Sequence, residues 1–169
     1  MLASMLAPSW GIYAGYELYE HLPRPGAEEY LDNEKYELRP RDWAAAEREG
    51  RSLAPFITRL NAVRRANPAL HRLRNLRFHD IDNGALLCFS KRDAETGNTV
   101  LVVCAMDTSH VQWGNTTLDM PGLGFDWHER FTARDELTGT SFDWGQHNAV
   151  RLDPYVEPAH VLTVHRHHW

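Results

Sequence analysis

Asn61-Ala62-Val63-Arg64-Arg65-Ala66-Asn67-Pro68-Ala69-Leu70 ends one kind of pattern in this chain and starts another. Upstream of it, Leu53, Phe56, Ile57, Leu60 and Val63 recur at helical spacing, which predicts one amphipathic helix over 52–66. Ser52 stands where an N-cap belongs, and Pro55 falls in the first turn, where a missing N–H costs little. Arg64 and Arg65 occupy the last turn and suit the negative end of the helix dipole. Pro68 forbids continuation and pushes Asn67 out of the helical region.

Downstream the period changes from helical to alternating. Strands are predicted at 76–81, 85–90, 99–105, 111–118, 127–131, 141–144, 149–152 and 160–165. The run at 99–105 is nearly continuously apolar, as a central strand should be. Asp93 to Asn98, with Gly97, reads as a hairpin turn, and Pro121-Gly122, Thr138-Gly139 and Asp153-Pro154 separate later strands. Several short strands at this spacing predict an antiparallel sandwich.

Upstream of the helix the chain is less regular. Met1 to Leu6 reads as a short apolar helix, and Trp10-Gly11-Ile12-Tyr13 as a strand. Residues 16–51 are charged, irregular and rich in aromatic side chains, a length of loop that is functional or disordered in most domains. Residues 1–70 cannot bury a core of useful size alone, and a lone strand at 10–13 presents two unpaired edges. The cover is missing sequence, the β-rich half, an upstream polypeptide partner, or a second copy in a homo-oligomer.

The 169 residues are too few for a (β/α)8 barrel, which needs about 250. A hydrophobic fraction of 43% marks a globular chain, and a formal net charge of −5 argues against a nucleic-acid partner. Arg72, Arg74 and Arg77 form too small a basic patch to change that. No stretch reaches the roughly 18 apolar residues of a membrane span, and the start carries no signal-peptide pattern, so the expected location is cytoplasmic. Cys88 and Cys104 both lie in strand-like runs, where the small-hydrophobe reading of a reduced protein outweighs a bridge.

Four sequence blocks carry a family resemblance. Pro8-Ser9-Trp10-Gly11-Ile12-Tyr13-Ala14-Gly15-Tyr16-Glu17-Leu18 resembles the eighth barrel strand of alpha-amylase-superfamily enzymes and the turn after it. Glu28-Glu29-Tyr30-Leu31-Asp32-Asn33-Glu34-Lys35-Tyr36-Glu37-Leu38-Arg39-Pro40-Arg41-Asp42-Trp43 resembles the following loop of the alpha-1,4-glucan:maltose-1-phosphate maltosyltransferases. Asp119-Met120-Pro121 and Asp135-Glu136-Leu137-Thr138-Gly139 are similar to that family's C-terminal β domain.

The resemblance implies an α+β fragment: residues 1–70 as the last strand and helix of a (β/α)8 catalytic barrel, with an active-site loop at 16–51, and residues 71–169 as an all-β antiparallel sandwich domain. It implies a retaining transfer of maltosyl from maltose 1-phosphate to the non-reducing end of an α-1,4-glucan, without metal or organic cofactor. Retention uses two carboxyl groups about 5 Å apart. The family's catalytic carboxylates follow the fourth, fifth and seventh barrel strands and would lie upstream of Met1, so no catalytic residue is assigned and the isolated chain is expected to be inactive.

The expected substrate contacts are Glu34, Lys35 and Tyr36, with Tyr16 and Glu17 at the C-terminal end of the barrel strand, where such folds place ligand groups. A tyrosine stacks on a pyranose face, and lysine and glutamate hydrogen-bond its hydroxyls; solvated loop charges are the competing reading. Glu17 and Glu20 could mimic a carboxylate pair but lack environments that would separate an acid from a base. His165 and His167 alternate as metal ligands can, without a further ligand in sight, so no metal is assigned. The alternative function is a non-enzymatic α-glucan-binding or accessory β-sandwich module that uses Trp113, Trp127 or Trp144.

Overall fold

The structure is a computed structural model and describes residues 1–31 and 38–167. Along the chain run helices α1 (Leu2–Leu6), α2 (Trp43–Arg48), α3 (Ala54–Ala66) and α4 (Met120–Leu123). The strands are β1 (Leu76–Ile81), β2 (Leu86–Arg92), β3 (Thr99–Ala105), β4 (Gln112–Thr117), β5 (Phe131–Asp135), β6 (Ser141–Trp144), β7 (His147–Leu152) and β8 (Ala159–Arg166). Two 3-10 turns, Tyr16–Leu18 and Pro68–His71, complete the order. The chain divides into two compact units, Met1–Ser9 with Val63–Trp169, and Trp10–Ala62.

In the larger unit every strand pairing is antiparallel, and the eight strands form one connected sheet in the order β6-β5-β8-β3-β2-β1-β4-β7. The predicted sandwich is therefore a single folded-over sheet rather than two separate ones. β1 makes the corner: Leu76 to His79 pair with β2, whereas Asp80 and Ile81 pair with Thr117 and Thr116 of β4. The fold brings Val150 and Leu152 of β7 onto Leu101, Leu162, Phe131 and Leu118 in one core. β3 is buried on both faces, as its continuous apolar run requires. The 3-10 turn Pro68–His71 packs on β2 and β3.

The Asn-Pro-Ala-Leu exit works as a lock. Asn67 is extended at φ −120° and ψ 98°, as the following proline demands. Its amide donates to Val63 O at 2.8 Å, and its Oδ1 accepts from Asn98 Nδ2 at 2.8 Å. Asn98 Oδ1 accepts the Ala69 N–H at 3.1 Å, so one side chain of the β2–β3 turn holds the exit at two points. Gly97 in that turn has a φ of +75°, which only glycine adopts readily.

Two cations enclose the end of α1. Arg64 donates to the carbonyls of Ser4, Ala7 and Pro8, the last two at 2.9 and 2.7 Å, and Lys91 Nζ donates to Leu6 O at 3.1 Å. Arg64 is thus not simply a solvated dipole partner; both it and Lys91 are buried.

Helix α3 begins at Ala54, whose N–H donates to Ser52 Oγ at 3.1 Å. Of the predicted apolar face, Leu60 and Val63 are buried and Phe56 is exposed. Three expectations are corrected. Residues 10–13 join no sheet, because among the described residues the unit Trp10–Ala62 holds no strand for them to pair with; Trp10 instead donates from its indole to Asn61 Oδ1 at 3.1 Å. The strand expected at 127–131 begins only at Phe131, because Glu129 N–H closes a turn onto Asp126 O at 3.0 Å. Pro121-Gly122 is not a bare turn but part of α4, capped by Asp119, which accepts the Gly122 N–H. The region 16–51 also hides α2, capped by Asp42, which accepts the Ala45 N–H at 2.8 Å.

Candidate substrate-binding turn

Within the smaller unit, the chain reverses at Gly15. This residue is buried, with φ +104°, and a Cβ there would overlap the Glu20 carboxylate. Tyr16–Leu18 then form the 3-10 turn, with Leu18 N–H on Gly15 O at 3.0 Å and Tyr19 N–H on Tyr16 O at 3.0 Å. Tyr19 closes it at φ +59°, the only non-glycine among the described residues with a positive φ. Such a backbone persists only where its surroundings over-determine it.

The turn is tied down on both flanks. Glu17 Oε2 accepts the Gly15 N–H at 3.1 Å, and Glu17 O accepts the Leu53 N–H at 2.7 Å. Glu20 N–H returns to Gly15 O at 3.2 Å. The Glu20 carboxylate takes two parallel hydrogen bonds from Arg41, from Nε at 2.9 Å and from the terminal nitrogen at 3.0 Å. Arg39 stands 3.7 Å from the same carboxylate. The Arg41 bond and charge hold the Glu20 carboxyl below its usual range, and Glu20 in turn raises Arg41. Arg41 also lies 5.9 Å from the ring centre of Trp43. The turn leaves Tyr16 54% exposed. A cleft of about 310 Å³ opens beside it, lined by Leu18, Glu20, His21, Leu31 and Arg39 among others.

Of the predicted contacts, Tyr16 and Glu17 share this turn, while Glu34, Lys35 and Tyr36 lie outside the described residues. Glu17 and Glu20 do not pair as an acid and a base: one serves a backbone N–H and the other an arginine. Trp113 and Trp127 are exposed, but Trp144 is buried in the core and offers no stacking face. Arg72 pairs with Asp93 and Glu95, and Arg77 with Asp119, so those two members of the basic patch are occupied. Cys88 and Cys104 are free and buried, and burial pushes the Cys88 thiol up to about 12.

One cluster was not foreseen. His160 Nδ1 lies 2.9 Å from Asp135 Oδ2 and 3.3 Å from Glu157 Oε1, and these ligand-type atoms all fall within 4.8 Å of one another. Asp135 also accepts from Leu137 N–H, Val161 N–H and Thr138 Oγ1. Its oxygens are thereby filled, so the cluster acts as a hydrogen-bonded knot between β5, β8 and the β7–β8 loop. The sequence signal was the Asp-Glu-Leu-Thr-Gly turn, whose aspartate organises backbone donors.

The family description "GLGE, C-terminal" matches residues 78–164, more than half of the chain. The chain belongs to this family. Members of known description support the assignment beyond the β unit. The chain is 56% identical over 167 residues to alpha-1,4-glucan:maltose-1-phosphate maltosyltransferase 2 of Streptomyces coelicolor, covering 98% of itself and 25% of that protein. It is 51% identical over 165 residues to the maltosyltransferase of Mycobacterium tuberculosis, covering 97% of itself and 24% of that protein. The chain thus spans about a quarter of the length of the curated relatives it matches, and the family places it in their C-terminal portion. Among solved structures, a noncanonic maltogenic alpha-amylase, AmyB from Thermotoga neapolitana, superposes on 68% of the chain and 26% of that protein with TM-score 0.52 and 8% identity, which speaks to fold alone.

Proposed function

We propose that this GLGE-family chain is the C-terminal part of a retaining maltosyltransferase that moves maltosyl from maltose 1-phosphate to the non-reducing end of an α-1,4-glucan. The observation that carries the reading is 56% identity along 98% of the chain to a maltosyltransferase. In this reading residues 1–70 are the last strand and helix of a (β/α)8 barrel, residues 71–169 the β domain, and the loop 16–51 one wall of the donor pocket. Tyr16 stacks on the sugar, Glu17 accepts from its hydroxyls, and Glu34, Lys35 and Tyr36 complete the wall. The attacking carboxylate and the acid that protonates the leaving phosphate come from the preceding part of the enzyme. The first displaces phosphate to form a glycosyl ester; the glucan hydroxyl, giving its proton to the now deprotonated acid, then displaces the carboxylate, with net retention. The two unbridged thiols suit a reducing, cytoplasmic setting. No helix among the described residues is long and apolar enough to cross a membrane.

Phosphate release from maltose 1-phosphate and glycogen tests this. The chain alone should release none above background, and addition of the upstream portion should establish turnover. Robust release by the isolated chain overturns the placement of the catalytic carboxylates.

A second reading, a non-enzymatic glucan-binding module, is favoured by one observation. Trp113 is 64% exposed on β4, with the Arg151 guanidinium 5.5 Å from its ring centre across the β4–β7 pair. Retardation of the chain in a glycogen gel, abolished by Trp113→Ala, is the expected behaviour of such a surface; unretarded migration removes it.

A further inference from the structure

We propose that the Glu20–Arg41 ion pair is a positioning device that fixes the turn presenting Tyr16 and Glu17 to the donor sugar, an assignment that rests on the maltosyltransferase reading. Neither residue needs to touch the substrate for this. Arg41 is the residue before Asp42, the N-cap of α2, so its backbone is set by a helix start. Its guanidinium reaches back across twenty-one positions to close on both oxygens of Glu20. A two-point contact of planar groups fixes direction as well as distance, which a single lysine bond could not do. The side chains of Arg41 and Glu20 are 15% and 27% exposed, so the contact is largely sheltered.

Gly15 shows that the turn is built around the clasped carboxylate. The Glu20 carboxylate occupies the space that any side chain at Gly15 would need, and the Gly15 N–H and C=O bind Glu17 Oε2 and Glu20 N–H. Glu20, Gly15 and Glu17 therefore move together. Releasing Glu20 from Arg41 removes the anchor that keeps Tyr19 left-handed and the 3-10 turn closed, and Tyr16 and Glu17 lose their fixed aim. Misaim of this kind weakens substrate binding more than it alters the reacting groups, which lie elsewhere.

The test uses Glu20→Gln, Arg41→Met and the double variant, each in the full-length enzyme whose C-terminal quarter is this chain. In that enzyme, amide exchange at Leu18, Tyr19 and Glu20 should quicken in both single variants, and the double variant should quicken little further. The single variants should raise KM for maltose 1-phosphate about tenfold with kcat within about twofold, and the double variant should lose little more than either single one. Faster exchange with an unchanged KM overturns the positioning role and leaves only a structural one. Unchanged amide exchange overturns the clasp itself. Absence of phosphate release by the unmutated full-length enzyme is a different failure: it sinks the maltosyltransferase reading, and the positioning role with it, whatever the exchange data show.

Discussion

His79 shows how far one buried side chain can set the acid tolerance of the fold. Its Nδ1 accepts the Asp119 N–H at 3.1 Å, which assigns the proton to Nε2, and Nε2–H donates to Ser90 Oγ at 2.7 Å. Burial pushes its pKa down from 6.5 to about 4, against a partial offset from the Asp119 charge. A depressed folded pKa means the unfolded chain binds the proton more readily. This contribution is complete above about pH 6.5 and is lost progressively as pH falls toward 4, to a total of about 3 kcal/mol at most. Urea denaturation of the wild type and of His79→Gln between pH 7 and pH 4 checks this. The wild type should lose stability through that window, and the variant should lose markedly less. Equal slopes would remove His79 as the cause. The Asp135 carboxyl, held down by its His160 and backbone donors despite burial, acts in the same direction at lower pH.

Among the elements, the lock at the end of α3 is the most exacting. Asn98 of the β2–β3 turn satisfies Asn67 and Ala69 together, so Asn98→Ala leaves a buried amide oxygen and a buried N–H without partners. The expected cost is about 1–3 kcal/mol of global stability, read as a drop in denaturation midpoint with an unchanged m-value. The helix, its proline stop and most strands were legible in the sequence because each writes its own period: 76–81, 99–105 and 141–144 coincide with β1, β3 and β6. What was not legible lies where a long-range partner decides. Asp42, with Trp43 and three alanines after it, could have announced α2, but the surrounding charge obscured it. The start of β5 depended on a local turn between Asp126 and Glu129. For the candidate site, the sequence supplied Tyr16 and Glu17, but Arg41, twenty-one positions from Glu20, could be joined to it only in three dimensions. Trp144 misled for a similar reason: a β-domain tryptophan on a core-facing position looks the same in one dimension as one on an open face.

On the scale of the whole chain, apolar burial is very unevenly distributed. In the unit Trp10–Ala62, Ala46 and Leu60 are the only buried hydrophobic side chains among the described residues, whereas Tyr13, Tyr16, Tyr19, Leu22 and Trp43 are exposed. The other unit encloses a core that includes Phe89, Phe131, Leu101 and Leu162. Two buried side chains cannot offset the ordering of about fifty residues. Brief proteolysis should therefore cut first within 10–62 and leave a fragment containing 63–169, and addition of the upstream part of the enzyme should protect the cut sites. Equal resistance of both units would contradict the uneven burial. Leu162→Ala, in contrast, should lower the stability of the β unit by about 2–5 kcal/mol, read from urea denaturation.

The cations that enclose α1 bear on any attempt to dissect the chain. Arg64 and Lys91 spend their hydrogen bonds on carbonyls contributed by the first eight residues, so the amino terminus is stitched into the β unit across more than fifty intervening positions. A fragment trimmed to residue 63 or 71 in the hope of a tidy β domain would strand a buried ammonium with nothing to donate to. Reattaching the first nine residues through a short linker should restore what the trimming removes, so the workable minimal β unit is a spliced molecule rather than a contiguous stretch of sequence.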